Sequence, residues 1–328
     1  MAIGAKTGPS SFPGGFGSGV LIQNTPVSIP HPGRVYWVSN STVLVPGQGA
    51  AGSDGNDGTY TRPFSTVDYA VGRCTANRGD VIYVMPGYTQ TMSGADAVDV
   101  DVAGVRVIGL GRGTLMPTFT YSNAAGEFVI GASNVRIEGL RFVPSVTGIT
   151  HAVNVEATFD HVEIVNCRFD TGEAATVDEF LISISVGTTA NYGLIQGCYF
   201  DQGLAGATNA ISLATPQYWT IRDNFIMGDY TANIATITGA GVLCSMLNNI
   251  VINGEPGALN TLEVFTQSAA GTWFLAGNIF ATNIATDLSL MFTNFTSTIN
   301  GGNLYTDDST MVLSAVDRSA VMAVSADT

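Results

Sequence analysis

Two acidic residues in the middle of the chain are the best candidates for chemistry. Asp170 and Asp201 directly follow two large apolar residues, Phe169 and Phe200, that belong to a recurring pattern, and Arg168 precedes the first of these. Two carboxylates about 5 to 9.5 Å apart can cleave a glycosidic bond, and closer ones can share a proton or a metal ion. The alternative is that both side chains simply diverge into solvent at turns. Further acids expected on nearby loops are Glu173, Asp178, Glu179 and Asp229.

A repeated pattern between residues 134 and 305 must position these acids. Seven segments end in a large apolar residue at an equivalent place, and successive copies are roughly 25 to 31 residues apart. These register residues are Phe142, Phe169, Phe200, Ile226, Val251, Phe280 and Tyr305. A period in this range indicates one supersecondary unit stacked on the next.

Each unit is built from short strands. In the runs LISISV and LEVF every second residue is apolar, which is the period of a strand. Two such runs per unit, rich in Val, Ile, Thr and aromatic residues, predict two or three strands. The lack of a helix-length segment excludes leucine-rich and ankyrin-type repeats. The sequence therefore predicts an all-β fold, a parallel β-helix with a rise of about 4.8 Å per coil, and right-handed winding follows from the usual hand of parallel crossovers.

The position two residues before each register residue changes from apolar to asparagine along the stack. It holds, in chain order, Leu140, Cys167, Cys198, Asn224, Asn249, Asn278 and Asn303. Stacked asparagines at a bend can hydrogen-bond to one another, so we predict an asparagine ladder rather than a ligand site. Glycines one place earlier indicate a turn of the backbone. They are Gly139, Gly197, Gly277 and Gly302.

The composition of the 328 residues limits the classes of function. Hydrophobic residues make up 45% and charged residues 12%, which suits one long core under an uncharged polar surface. The net charge of −14 argues against binding to nucleic acid or to anionic membranes. The four cysteines and three histidines show no metal-ligand spacing, so we expect no metal and no cofactor. Cys167 and Cys198 are expected to be buried thiols, with a disulfide between them as the alternative.

Three segments are predicted along the chain. Residues 1–33 are rich in Gly, Ser and Pro and suggest an extended arm that is disordered alone or lies along a partner. Residues 34–80 contain a strand, a loop rich in Gly and Asp, and a short helix capped by Ser65 or Thr66 that covers the open end of the stack. Residues 81–328 are the β-helix, with VIYV as its first strand. The N-terminus predicts neither a secretory signal nor a membrane span.

The segment between residues 52 and 88 resembles a known family. It contains GSDGNDG, PFST, GDVIYV and PGY in succession. These motifs resemble the N-terminal cap and first coil of the pectin-lyase-like parallel β-helix superfamily, and especially the β-helix proteins of tailed-bacteriophage virions. The resemblance implies the fold. It does not decide the function, because the superfamily includes lyases, hydrolases, tailspikes and non-catalytic shell proteins.

The Asp-rich loop in this segment also suggests a calcium site. Asp54, Asn56 and Gly58 are spaced like part of an EF-hand loop. The final Glu of such a loop is missing, and no flanking helices are predicted, so we do not expect a metal there.

Three features argue against an enzyme. The corners between coils are short. Bases become rare beyond Arg168, since only Arg222 and Arg318 follow. Trp219 and Trp273 open strands at a place where aromatic side chains are expected to point inward, and so they do not predict a sugar platform.

We therefore expect a structural protein of a tailed-bacteriophage virion, most simply a decoration or cement protein on the capsid exterior, assembled in the host cytoplasm. Its expected partners are the major capsid protein and further copies of itself in a trimer of parallel rods, because the apolar strands predicted in residues 309–328 need cover. The alternative is a tailspike or receptor-binding protein that cleaves a glycan, by lyase or hydrolase chemistry, through Asp170 and Asp201. A bacterial cell-surface β-helix is a third hypothesis, which the missing secretory signal disfavours.

Overall fold

The structure, a computed structural model, describes most of the chain between Gly33 and Thr306. The positions outside the described residues are 1–19, 23–24, 28–32, 41, 43–46, 173–178, 203–205, 256–257, 260–263, 282–291, 307–313 and 316–328. Within the described part, three parallel sheets, named A, B and C in the order in which the chain visits them, surround one core. The predicted all-β parallel β-helix is confirmed, and its right-handed sense stays a prediction.

Each coil contributes one strand to each sheet. Of the predicted two or three strands per coil, the structure has three. Sheet A contains Val35–Val38, Val81–Val84, Arg106–Gly109, Arg136–Glu138, Glu163–Val165, Leu194–Gln196, Thr220–Arg222, Cys244–Leu247 and the second halves of Phe265–Ala276 and Phe292–Gly301. Sheet B contains Thr89–Met92, Thr118–Tyr121, Arg141–Pro144, Arg168–Phe169, Tyr199–Gln202, Phe225–Gly228, Ile250–Glu255, Ile279–Ala281 and Leu304–Thr306. Sheet C contains Val98–Asp99, Phe128–Ile130, Ile149–Val155, Phe180–Val186, Asn209–Leu213, Ala235–Ile237 and the first halves of the two long strands.

Three short antiparallel pairings lie outside this winding. Val20–Ile22 pairs with Thr25–Val27, Ala258–Leu259 pairs with Ile250–Glu255, and Ser314–Ala315 pairs with Leu304–Thr306. The first hairpin lies in the predicted arm, and the last falls in the predicted C-terminal strands. The rest of both predictions lies outside the described residues.

The register residues lie directly over one another in sheet B. Phe142 pairs with Phe169, and Phe169 with Phe200, and the remaining members of the row follow in the same way to Tyr305. The side chains of the row from Phe142 to Phe280 are buried in the core, where the Phe142 and Phe169 rings are 5.1 Å apart and the Phe169 and Phe200 rings 4.8 Å apart. The row also extends one coil earlier than the repeat predicted, because Phe119 pairs with Phe142.

The predicted asparagine ladder is confirmed at the bend between sheets A and B. The Nδ2 atom of Asn224 donates to Oδ1 of Asn249 at 2.9 Å, and the Nδ2 atom of Asn249 donates to Oδ1 of Asn278 at 2.9 Å. Asn278 continues the ladder to Asn303 at 2.8 Å. All four side chains are buried. The glycines one place earlier have positive φ angles of 64° to 69°, a backbone conformation that favours glycine.

A short helix, Val67–Val71, covers the N-terminal end of the stack. Thr66 caps it, since its hydroxyl accepts from the Tyr69 N–H at 3.3 Å, and Val67 and Val71 are fully buried in the core. The prediction that Val81–Val84 is the first strand of the stack was wrong. The first strand of sheet A is Val35–Val38, which pairs in parallel with Val81–Val84. The cap therefore returns the chain to the same sheet instead of starting a separate layer.

Candidate functional site

Asp170 and Asp201 lie side by side at the outer surface of sheet B. Arg168 pairs with Tyr199 and Phe169 with Phe200, so the next residue on each strand is an aspartate at the same level of the sheet. The Asp170 N–H donates to the carbonyl of Phe142 at 3.1 Å, which continues the pairing with the coil before. The two acids are therefore neighbours, as the repeat predicted.

Two arginines hold the carboxylate of Asp170. The Nε atom of Arg141 donates to Oδ2 at 2.5 Å, and the Nε atom of Arg168 donates to Oδ1. The Asp170 side chain is only 6% exposed, whereas those of Arg141 and Arg168 are 36% and 44% exposed. Both oxygens of the carboxylate are thus engaged, and the guanidinium groups face solvent.

Asp201 has a different electrostatic environment. Burial raises the pKa of its carboxyl above the usual value, and the charge of Asp170 raises it further, while Arg168 acts in the opposite direction. A carboxyl whose pKa is raised beside a second carboxylate is the kind of group that can act as a general acid.

Aromatic residues continue the surface beyond the arginines. The Arg168 guanidinium lies 4.8 Å from the centre of the Tyr199 ring, a distance typical of a cation–π contact. The Tyr199 ring stacks on Phe225, with centroids 5.2 Å apart and planes 7° apart. Together, Asp170, Arg168, Tyr199 and Phe225 form one connected cluster.

This cluster belongs to a longer row of outward-facing side chains on sheet B. In order along the rod the row contains Thr89, Thr118, Arg141, Arg168, Tyr199, Phe225, Ile250, Ile279 and Leu304. The row changes from polar to cationic, then to aromatic, then to aliphatic. Ile250 is 38% exposed.

Two adjoining grooves lie beside the arginines, at the bend between sheets A and B. One, of about 390 Å³, is lined by Arg112, Glu138, Asn166 and several glycines, and the other, of about 300 Å³, by Arg141 and Arg168. Both are bounded by Gly113 and Met116, in a loop that contains the 3-10 turn Gly113–Leu115. Arg112 and Arg141 were not among the site residues that the sequence pattern indicated. Arg141 could have been found from the repeat, because it directly precedes the register residue Phe142, just as Arg168 directly precedes Phe169 one coil later.

Two of the other predicted acids, Glu179 and Asp229, lie in the described part of the chain. Glu179 is buried, and its Oε2 atom accepts from the Ala207 N–H. Asp229 lies just beyond the next strand of sheet B, where its N–H donates to the carbonyl of Gln202 at 2.9 Å. Glu173 and Asp178 lie outside the described residues.

The Asp-rich loop uses its side chains for its own structure. Oδ1 of Asp54 accepts from the N–H groups of Ser65 at 2.9 Å and Thr66 at 3.3 Å, at the start of the helix. The Nδ2 atom of Asn56 donates to the carbonyls of Ala51 and Pro63 at 2.9 and 2.8 Å. Among the described residues, no group of three or more His, Cys, Asp or Glu side chains is arranged to hold a metal ion.

The tryptophans and cysteines of the repeat lie in the core. Trp219 and Trp273 are buried, as predicted, and the Trp219 Nε1 atom donates to the Ala190 carbonyl at 2.7 Å. Cys167 and Cys198 are buried free thiols, so the disulfide alternative was wrong. Burial raises the pKa of the Cys198 thiol well above its usual value. In the described part of the chain, the helices are too short and too polar to cross a membrane.

Comparison with known proteins identifies relatives by fold alone. No family model matches the sequence, and no curated protein matches it either. Among solved structures, a rhamnogalacturonan lyase is 13% identical over 76% of this chain and 76% of its own, with a TM-score of 0.47. The GH136 lacto-N-biosidase from Eubacterium ramulus is 12% identical over 83% of this chain, which spans 55% of that protein, with a TM-score of 0.46.

A third solved structure superposes on this chain with a lower TM-score. The pectin methylesterase from Aspergillus niger is 15% identical over 87% of this chain and 96% of its own, with a TM-score of 0.34. At these identities the likeness concerns the course of the backbone and not the residues of a site. What is shown for this chain is therefore the fold, a parallel β-helix.

Proposed function

We propose that this chain is a structural protein of a tailed-bacteriophage virion, a decoration protein that binds the outside of the capsid shell as a trimer of parallel rods. The motifs GSDGNDG, PFST, GDVIYV and PGY support the phage origin, because they resemble the caps of virion β-helix proteins. The trimer and the major capsid protein are the partners that this function requires.

The observation that carries the proposal is the outer row of sheet B. From Tyr199 through Phe225, Ile250 and Ile279 it presents apolar side chains on successive strands, in one register. Ile250 is 38% exposed and the other three are half-buried, and contiguous accessible apolar surface marks protein contact sites. A row that extends along the rod suits a contact with another protein surface better than the binding of a small substrate.

The state of Asp170 also supports a non-catalytic role. Its side chain is 6% exposed, and each of its oxygens accepts from an arginine. A general base or nucleophile must reach the reacting atom within hydrogen-bond distance. In this arrangement the carboxylate serves as the counter-ion of two arginines.

The test is the copy number of the protein in purified particles, measured by quantitative mass spectrometry against the major capsid protein. A copy number that scales with the number of capsid subunits is expected. A copy number equal to that of tail components, together with antibody labelling of the tail alone, would contradict the proposal.

A glycan-cleaving tailspike is the second candidate, and the environment of Asp201 favours it. The raised pKa of Asp201 beside Asp170 suits a general acid. If this candidate is right, Asp201→Asn abolishes release of reducing ends from host polysaccharide, whereas Asp229→Asn retains it. This candidate is removed if the wild-type protein shows no cleavage. It is also removed if the wild type, Asp201→Asn and Asp229→Asn cleave the polysaccharide equally.

A further inference from the structure

The two grooves at the bend between sheets A and B carry an unusual charge for this molecule. We name them together the arginine groove, defined by Arg112, Arg141 and Arg168. Arg112 is exposed and has no ion pair among the described residues, and Arg141 and Arg168 share the single carboxylate of Asp170. The charged residues that line the two grooves are thus three arginines and one acid, Glu138, although the whole chain carries −14.

The one acid in the lining is itself paired. Glu138 lies beside Arg112, and its Oε2 atom accepts from Arg136 at 2.8 Å, although Arg136 also pairs with Glu163 at 2.5 Å. The Nε atoms of Arg141 and Arg168 are directed to Asp170, which fixes both guanidinium planes in place. Planar guanidinium groups fixed in this way are suited to carboxylates, which they bind through paired hydrogen bonds.

An acidic patch lies on another side of the rod, on and around sheet C. It consists of Asp68, Asp96, Asp99, Asp101 and Glu156, of which all but Asp99 are exposed. A Cβ atom placed on Gly131 would lie 3.0 Å from Oδ1 of Asp99 and 3.3 Å from Oε2 of Glu156, so these two carboxylates converge over one glycine. Burial, then Asp101 and Glu156, raise the pKa of Asp99 to about 6. The like charges therefore repel one another within a single copy.

The patch and the groove lie at overlapping heights along the rod. The acids flank the strands Val98–Asp99, Phe128–Ile130 and Ile149–Val155 of sheet C. The arginines lie on or beside the strands of sheets A and B from the same and adjoining coils, Arg106–Gly109, Arg141–Pro144 and Arg168–Phe169. Two copies standing side by side and parallel can therefore place one surface against the other.

We propose that the arginine groove of one copy binds the acidic patch of a second copy of this chain. The proposal deepens the proposed function, on whose parallel trimer it rests, by naming the surfaces that join the subunits. The contact is heterologous, because the two surfaces differ, and repeating it gives a ring such as a trimer when the rotation from copy to copy closes. Elsewhere the like net charges of the copies repel, and the complementary patches set which sides meet.

Self-association of the purified full-length chain tests this, by sedimentation velocity over a concentration series. Arg112→Glu and Asp101→Arg change exposed side chains, and each is expected to weaken association about tenfold or more. Raising the salt from about 50 mM to about 500 mM NaCl is expected to weaken association of the unchanged protein as well. Arg62→Glu, which makes the same charge change at an exposed site in the cap loop, is the matched control and is expected to leave association unchanged.

Mixing the two variants gives the sharpest result. Arg112→Glu retains an intact acidic patch, and Asp101→Arg retains an intact groove, so an equal mixture is expected to form one-to-one complexes at concentrations where each variant alone is mainly monomeric. A mixture that stays monomeric, a wild-type protein that is monomeric at low salt, or an oligomer that neither variant weakens overturns the proposal. Such an outcome is separate from the proposed function, which the copy number in the particle decides.

Discussion

Asp170 and Asp201 show how two identical residues on neighbouring strands acquire different properties. Asp170 accepts hydrogen bonds from two arginines and is almost inaccessible, whereas Asp201 experiences burial and the charge of Asp170. The difference comes from Arg141 and Arg168, which both reach the same carboxylate. Replacing Asp170 should therefore affect stability differently from replacing Asp201.

We expect Asp170→Asn to lower the free energy of unfolding by about 1 to 3 kcal/mol, since it leaves two arginines without their counter-ion. Asp201→Asn is expected to leave the free energy of unfolding unchanged or to raise it near neutral pH, because it removes a charge that burial and Asp170 disfavour. Urea denaturation of both variants measures the contrast. Equal losses in the two would show that the arginine contacts do not stabilise the fold.

Asp99 predicts a pH dependence of stability. Its pKa is raised from 3.8 to about 6, first by burial and then by Asp101 and Glu156. Because the folded state binds this proton more tightly than the unfolded state, the contribution of Asp99 to stability is greatest below about pH 4 and is lost as the pH rises through about 6.

Asp99→Asn should therefore be more stable than the wild type at about pH 7, and the difference should vanish below about pH 4. Urea denaturation at several pH values within this range measures it, with Asp223→Asn, at an exposed turn position, as the control. A difference that grows as the pH falls would mean that the sign of the shift is wrong.

Among the structural elements, the bend between sheets A and B contains two kinds of stacking on one rod. Leu140, Cys167 and Cys198 fill the position with apolar side chains, and from Asn224 onwards hydrogen-bonded amides replace them. Each buried amide of the ladder also donates to a backbone carbonyl, as Asn249 does to Ile221 at 3.0 Å. The ladder thus satisfies backbone groups that a bend leaves without strand partners.

Asn249→Ala is expected to lower the free energy of unfolding by about 2 to 4 kcal/mol, because it removes the acceptor of the buried Asn224 N–H and the hydrogen bonds that Nδ2 of Asn249 donates to Asn278 and Ile221. The matched control is Asn248→Gly, an exposed neighbour with a φ of 54°, a conformation that glycine adopts freely. The control should change stability by less than about 0.5 kcal/mol. Thermal unfolding followed by circular dichroism compares the two, and equal effects would argue against the ladder as a stabilising element.

For the molecule as a whole, the coils contact mainly their neighbours, so damage at one end should stay local. Val71, the last residue of the capping helix, is fully buried in the end of the core. We expect Val71→Asp to open the N-terminal coils, since it places a charge in the end of the core. Hydrogen exchange should then speed up in residues 81–109 and remain slow around Asn224 and Asn249. A uniform increase along the chain would show that the rod unfolds as one unit.

Much of this architecture was predictable because every coil of a stacked repeat has the same structural requirements, so the same residue types recur at equivalent positions. The register phenylalanines, the asparagine row and the turn glycines each recur at one position per coil, and the structure confirms all three. The partners of Asp170 were only partly accessible in this way. Arg168 stands beside it in the sequence, but Arg141 is a whole coil away.

The sequence by itself thus determined the period, the strands and the inward face of each coil, since alternation and recurrence are local properties of the chain. Only the tertiary structure decided which charges meet around the rod: that Asp170 is enclosed by two arginines, that Arg112 adds a third to the same bend, and that five acids gather on and around sheet C. Winding of the chain brings residues about one coil apart in sequence within hydrogen-bond distance. Which side chains become neighbours across strands depends on the pairing register between coils, and no single segment of the sequence specifies that register.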